Sequence, residues 1–398
     1  MKKVLVIGAG AYQVPLIQRI KELGHKAYCV DGSSKAPGIA FADGYKIVDV
    51  CDKNVCLSYA QELQIDAVMT YGATITLPTV AYIGKIMGLP ALDEKAAEIS
   101  KSKYAIKQCL ADSGLNTDGT FFCLKNKEDV KNSKFEFPCV IKPSDGSGSK
   151  GVSIVNAEEE LEKAIAYAFD AARFGEIYTE RFIPGEEYSV EAFCANGKAY
   201  VYAVVKTTFY TDASGVLHYG HRIPSGLSKK TQGLIEVEVL KAIEALGVNI
   251  GSVNFDVIVS ENDGKPYIID VGIRVGQNLI ASHMVPLSSG VSELDSAIHL
   301  ALREPADIEP KLNKCVATRL LIYNPGTITE IKDFREIIGK NGVVDVVLRK
   351  CVGDVLRPYQ EKSDSCGWVI ASGDTPDEVE ASADAAREAL RDYIIIAS

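Results

Sequence analysis

FPCVIKPSDGSGSKGVSIV, residues 137–155, is the stretch that decides how this chain folds. An apolar run ends on a single lysine, Lys142. A loop of small residues follows (Asp145, Gly146, Ser147, Gly148, Ser149, Lys150, Gly151), and a second apolar run opens at Val152. In a Walker A loop the lysine follows the glycines and opens a helix. Here Lys142 precedes them and strand-forming residues come after, so the stretch reads as a β-hairpin flap. Small residues leave backbone N–H groups uncovered, which suits phosphate oxygens. Lys142 adds a point charge beside them.

On the amino-terminal side, residues 3–8 (KVLVIG), 27–31, 46–50 and 66–70 read as strands with helical stretches between them. That alternation predicts a parallel α/β sheet over about 1–95. GAGAYQ carries Gly8 and Gly10, and Asp31 ends the next strand, which is half of a dinucleotide fingerprint. Gln13 stands where the third glycine belongs, so a tight strand-to-helix turn at the switch point of a Rossmann-like sheet is expected. On the carboxyl side the pattern is mixed. A helix is expected over 98–114 and another over 157–172, with strands at 177–182, 188–194 and 198–205. Residues 253–259 and 265–271 form a hairpin around Glu261-Asn262-Asp263-Gly264. Short strands follow at 316–321, 343–349 and 368–372, and a helix from Thr375 closes the chain.

Composition narrows the function. At roughly 100–200 residues per domain, 398 residues suggest two to four domains. A net charge of −10 argues against a nucleic-acid or anionic-membrane surface. The ten cysteines show neither CxxC pairs nor a zinc pattern, which fits free thiols in a reducing compartment. No apolar run approaches the ~18 residues that span a bilayer. No signal peptide precedes VLVIG, so a cytoplasmic location is expected.

Asp256 and Asp270 are equidistant from Asp263. In a regular hairpin they face each other with Cβ atoms roughly 5 Å apart. Flanking VNFDVIV and YIIDV are too apolar for two solvated carboxylates. Like charges so placed call for a hard cation; Mg²⁺ bridging substrate phosphates is expected, with Mn²⁺ as a substitute. Replacing either aspartate is expected to relieve repulsion in the metal-free protein.

With these motifs in hand, the sequence resembles the ATP-grasp superfamily. The hairpin matches that family's phosphate flap. SKSKYAIKQCLADSGL (100–115) resembles the preceding helix, whose lysine, here Lys103, reaches ATP phosphates. IYTERFIPGEEYSVEAF (177–193) resembles the hinge strand, where the backbone at Glu180, Arg181, Phe182 and Ile183 would receive adenine and Glu187 the ribose. GSVNFDVIVSENDGKPYIIDVGIR (251–274) resembles the metal strands. Arg274 matches an arginine aimed at the acyl-phosphate region, and its planar fork suits a phosphoryl or carboxylate group. His221 and Arg222 lie where related ligases place substrate-side residues, with Lys206 similar. One departure stands out: the family carries Glu-x-Asn where this chain has Asp270, Val271 and Gly272, and a glycine offers no ligand.

The fold so implied is mixed α/β and α+β. It has a Rossmann-like domain over 1–97 and an ATP-grasp domain over 98–308, whose nucleotide-clamping part covers about 115–205. A β-rich segment over 309–398 is similar to those of biotin carboxylase, amino-acid ligases and the carbamoyl-phosphate synthase large chain. The resemblance implies an ATP-dependent carboxylate–amine ligase acting through an acyl phosphate, with small-molecule substrates and compatible with a homodimer. Lys142, Lys103 and the small-residue loop (Ser147, Gly148, Ser149, Gly151) would hold phosphates, Asp256 and Asp270 Mg²⁺, and Arg274 and His221 the reacting groups. The alternatives are bicarbonate carboxylation, a nucleotide-pathway ligase, or a non-catalytic nucleotide-binding relative.

Overall fold

The computed structural model describes residues 1–115, 120–145, 150–212, 215–359 and 364–397. The amino-terminal strands pair in parallel in the order Gly44–Ile47, Lys26–Asp31, Lys3–Ile7, Ala67–Met69. Helices Val14–Glu22 and Leu77–Met87 help cover the sheet, which is why Val4 to Ile7 read as an unbroken apolar run and are fully buried. The GxG turn is closed by its own side chains. Ala9 N–H donates to Asp31 Oδ2 at 2.8 Å, and Gln13 Nε2 donates to the Tyr71 carbonyl at 2.5 Å. Asp31 and Gln13 are thereby committed to holding the turn.

The rest of the molecule is organised by an antiparallel eight-stranded sheet. Its order is Pro266–Gly272, Gly251–Ser260, Gly185–Ala195, Lys198–Asp212, Gly215–Ile223, Cys315–Leu320, Gly367–Gly373, Val343–Leu348. The expected strand at 198–205 continues to Asp212 and turns back as Gly215–Ile223, which then pairs with Cys315–Leu320. Three carboxyl-terminal strands thus extend the central sheet, while Val355–Leu356, Gly326–Ile331 and Ile394–Ala397 form a small sheet of their own. Helix Lys229–Leu246 packs Ile235, Val239, Ile243 and Leu246 under it against Val190, Val253 and Phe255.

The quoted stretch is a hairpin, with Cys139–Pro143 paired to Ser153–Val155 (Cys139 opposite Val155, Ile141 opposite Ser153). Together with Ile177–Arg181 and Phe121–Leu124 it makes a second, four-stranded antiparallel sheet. The helix expected over 98–114 is two, Glu94–Ile99 and Lys103–Asp112. Ser102 divides them, its side chain capping the second by accepting from Ala105 N–H at 3.1 Å. The chain closes on strand Ile394–Ala397 after helix Pro376–Ala389, not on the helix. Among the described residues no helix is long and apolar enough to cross a membrane.

Candidate active site

The two aspartates do face each other, for a reason the sequence hid. The turn is closed by Ser260 N–H donating to the Lys265 carbonyl, and from there the strands pair Val257 with Ile268. Carried on unchanged, that register would set Asp256 against Ile269. A bulge at Ile269 shifts it by one, and Asp256 meets Asp270 while Asn254 meets Gly272. The bulge leaves the Ile269 carbonyl out of the ladder, and it accepts from Lys142 Nζ at 2.9 Å.

Neither carboxylate is left to repel the other unaided. Lys103 Nζ forms an ion pair with Asp270 Oδ2, and Ser189 Oγ donates to Asp256 Oδ1 at 2.9 Å. Burial pushes Asp270 up, but Lys103, Lys142 and Arg274 outweigh it and hold the carboxyl below its usual range. This corrects the expectation that replacing Asp270 would relieve repulsion, because the substitution would also remove the partner of Lys103. Helix Lys103–Asp112 is docked on the flap, Lys103 N–H donating to the Ser144 carbonyl at 2.6 Å and Ser102 Oγ lying 2.7 Å from Ser144 Oγ.

Behind the hairpin lies an ion cluster of which the sequence reading named only parts. Glu180 pairs with Lys142 at 2.5 Å and with Lys107 at 2.8 Å, and all three are buried. Lys107 follows Lys103 by four residues, so one helix face carries both. Burial would raise Glu180, but Lys142 and Lys107 more than offset it and hold it ionised. Tyr178 lies under Lys142, 5.1 Å from ring centre to ammonium.

Two cavities meet at these residues. One, of about 250 Å³, is bounded by Lys142, Glu180, Arg181, Phe182, Ile183 and the flap strands. The other, of about 270 Å³, is bounded by His221, Thr207, Asn254, Arg274 and Gln277. Lys103, Glu187, Asp256 and Asp270 line both. The structure therefore gathers Lys103, Lys142, Glu180, Arg181, Phe182, Ile183, Glu187, Asp256, Asp270, Arg274 and His221 around one divided cleft. Gly151 is not on its wall. It is buried at φ +78°, where a Cβ would lie 2.6 Å from Ala171 Cβ and 2.7 Å from Pro143 Cγ, so packing alone demands the glycine. Ser147, Gly148 and Ser149 lie outside the described residues.

The residues expected on the substrate side divide. His221 is 1% exposed, with its ring stacked on Trp368 (6.0 Å between centres) and its Nε2 3.2 Å from His218 Nε2. Trp368 comes from the carboxyl-terminal strands, so that segment backs a residue of the cleft wall. Arg222, next in sequence, points the other way and pairs with Glu380 at 2.9 Å. Lys206 pairs with Glu186 at 3.2 Å.

A pair of acids went unread. Glu191 and Glu293 are fully buried, and Ser252 Oγ donates to Glu293 Oε2 at 2.5 Å. Burial and the proximity of Glu191 push Glu293 well up, and burial pushes Glu191 up to about 8. Raised folded-state values make this a contribution that is fully present below the unfolded value near ~4.3 and lost as pH rises toward 8. Melting temperatures are accordingly expected to fall from pH 5 to pH 8, with Glu293→Gln flattening that fall. An unchanged slope in the variant would contradict the shared burial.

Comparison with known proteins bears on the fold and its domains. Residues 135–282 match the ATP-grasp domain family, and residues 319–393 match L-amino acid ligase C-terminal domain 2. The crystal structure of L-amino acid ligase from Bacillus licheniformis is similar over 100% of this chain and 99% of that one, with a TM-score of 0.80 and 22% identity. Phosphoribosylglycinamide synthetase from Anaerococcus prevotii is similar over 100% and 99%, with a TM-score of 0.77 and 24% identity. By sequence, formate-dependent phosphoribosylglycinamide formyltransferase of Bacillus subtilis (strain 168) is 26% identical over 189 residues, 46% of this chain and 49% of that protein. The chain spans about half the length of such curated relatives. The flap, the hinge strand and the paired aspartates fall inside the matched 135–282 stretch, so the chain carries an ATP-grasp domain there.

Proposed function

We propose that the chain is an ATP-dependent ligase that joins a small-molecule carboxylate to an amine through an acyl phosphate, releasing ADP and phosphate. The observation that carries this reading is the pair Asp256 and Asp270, with Lys103, on the wall common to both cavities. ATP would occupy the cavity under the flap, its adenine at the backbone of Glu180 to Ile183, its ribose at Glu187 and its phosphates toward Lys142 and Lys103. The carboxylate would occupy the polar cavity beside Arg274 and His221. Its oxygen attacks the γ-phosphorus and ADP leaves. The amine nitrogen then attacks the acyl carbon, and phosphate departs with the C–O electron pair.

The donor set fits a divalent cation, since two carboxylates on one face are what a hard cation takes. Mg²⁺ bound there would neutralise phosphate charge and polarise the transferring group. The chain's own work is positioning and charge. Lys142, paired with Glu180 and donating to the Ile269 carbonyl, would fix a positive end for the phosphates. Arg274, whose Nη1 donates to the Val275 carbonyl at 2.8 Å, is braced to present its fork to the acyl phosphate. Screening amino acids, singly and in pairs, for substrate-dependent ADP release tests the reading. Release that needs a carboxylate and rises with an amine supports it; release with bicarbonate alone would move the chain to carboxylation.

A further inference from the structure

Gly272 offers the proposed cation site no side-chain oxygen, and Arg274 and Asn254 stand beside it. Arg274 folds back over Gly272, so that a Cβ there would lie 3.2 Å from Arg274 Cζ and 3.3 Å from its Nε. A side chain at 272 would press on the guanidinium and require it to shift. Directly across the ladder from Gly272 is Asn254, two residues before Asp256 and therefore on the same face. It lines the same cavity as Asp256 and Asp270.

The orientation of Asn254 is set from behind. Its Nδ2 donates to Glu191 Oε2 at 3.0 Å. Glu191 is fully buried, and its other oxygen accepts from Gly276 N–H at 2.7 Å. The loop closes tightly on this carboxylate, for a Cβ at Gly276 would lie 2.1 Å from Glu191 Oε2. With both Glu191 oxygens engaged and the amide nitrogen held, Asn254 Oδ1 is the atom that remains. Among the described residues it has no hydrogen-bond partner.

We infer that Asn254, through Oδ1, supplies the third protein oxygen to the cation on Asp256 and Asp270, and that Glu191 is its positioning residue. The ligand lost from position 272 is replaced across the hairpin, which frees Gly272 to accommodate Arg274. This rests on the cation site of the proposed function.

The test is Mn²⁺ binding followed by the loss of the free-ion paramagnetic resonance signal, on the full chain with and without ATP, with folding checked by thermal melting. Asn254→Ala is expected to weaken Mn²⁺ binding by roughly 10–100-fold, and Asn254→Asp, which keeps an oxygen and adds charge, to retain it. Glu191→Gln is expected to weaken binding in the parent chain but to add nothing in the Asn254→Ala background, because its effect runs through Asn254. Parent-like affinity in folded Asn254→Ala would overturn the inference, as would a Glu191→Gln loss that persists undiminished in that background. If Asp256→Asn and Asp270→Asn also leave Mn²⁺ binding unchanged, the cation site itself is misplaced.

Discussion

Asp256→Asn and Asp270→Asn are each expected to reduce ATP turnover by roughly 10²–10³-fold or more, the scale seen when one preorganised charge is removed from a developing anion. The two should differ in stability. Asp256 accepts from Ser189, a bond an asparagine can also accept, so its variant should melt near the parent. Asp270 is the partner of Lys103 and is held ionised by Lys103, Lys142 and Arg274. Its folded-state value is lowered, so its contribution is present above the unfolded value near ~3.9 and lost as pH falls through the folded one. Asp270→Asn should therefore melt lower at pH 7, with the difference closing in acid. Steady-state ADP release and melting curves at two pH values check both parts. A double variant that still turned over ATP with Mg²⁺ would place the site elsewhere.

Lys142→Ala is expected to raise the KM for ATP by roughly 10–100-fold, the value of one charge-assisted hydrogen bond of about 1.5–3 kcal/mol. From its place between strand and loop, the lysine looks removable without harm to the fold. The structure predicts otherwise. Lys142 is buried, and its loss leaves the Ile269 carbonyl unpaired and Glu180 with Lys107 alone. A buried acceptor stripped of its donor costs about 1–3 kcal/mol, so the variant should also melt measurably lower. Lys142→Arg offers a control that keeps the charge in a bulkier group. A Lys142→Ala protein with parent ATP affinity would remove the flap lysine from the account.

The parts of the site that sequence made legible are those written in local pattern. Lys142 stands out because a charge inside CVIKP needs a reason, and the order of lysine, small residues and strand excludes a P-loop. Asp256 and Asp270 stand out because polar residues interrupt two apolar runs flanking a strong turn. Their pairing was inferred from symmetry about Asp263, yet the structure achieves it through the bulge at Ile269. That device depends on packing and has no residue code. The long-range partners were illegible for the same reason. Glu191 and Glu293 are far apart in sequence and meet only when helix Glu293–Ala301 lies against the sheet. Strand Gly215–Ile223 was missed because GVLHYGHRI mixes glycine and histidine into its pattern, and its status comes from its neighbours on both sides. The departure at Gly272 was visible, but the guanidinium of Arg274 lying over it is a fact of three dimensions.

In the proposed reaction a carboxylate is phosphorylated on the wall formed by Asp256, Asp270, Lys103 and Arg274 before any amine is used. Hydroxylamine, a small strong nucleophile, stands in for the amine. The measurement is product analysis of the chain with ATP, Mg²⁺, hydroxylamine and a carboxylate found by the ADP-release screen. A hydroxamate is expected, with one ADP and one phosphate per hydroxamate formed. AMP and pyrophosphate in place of ADP and phosphate would contradict it.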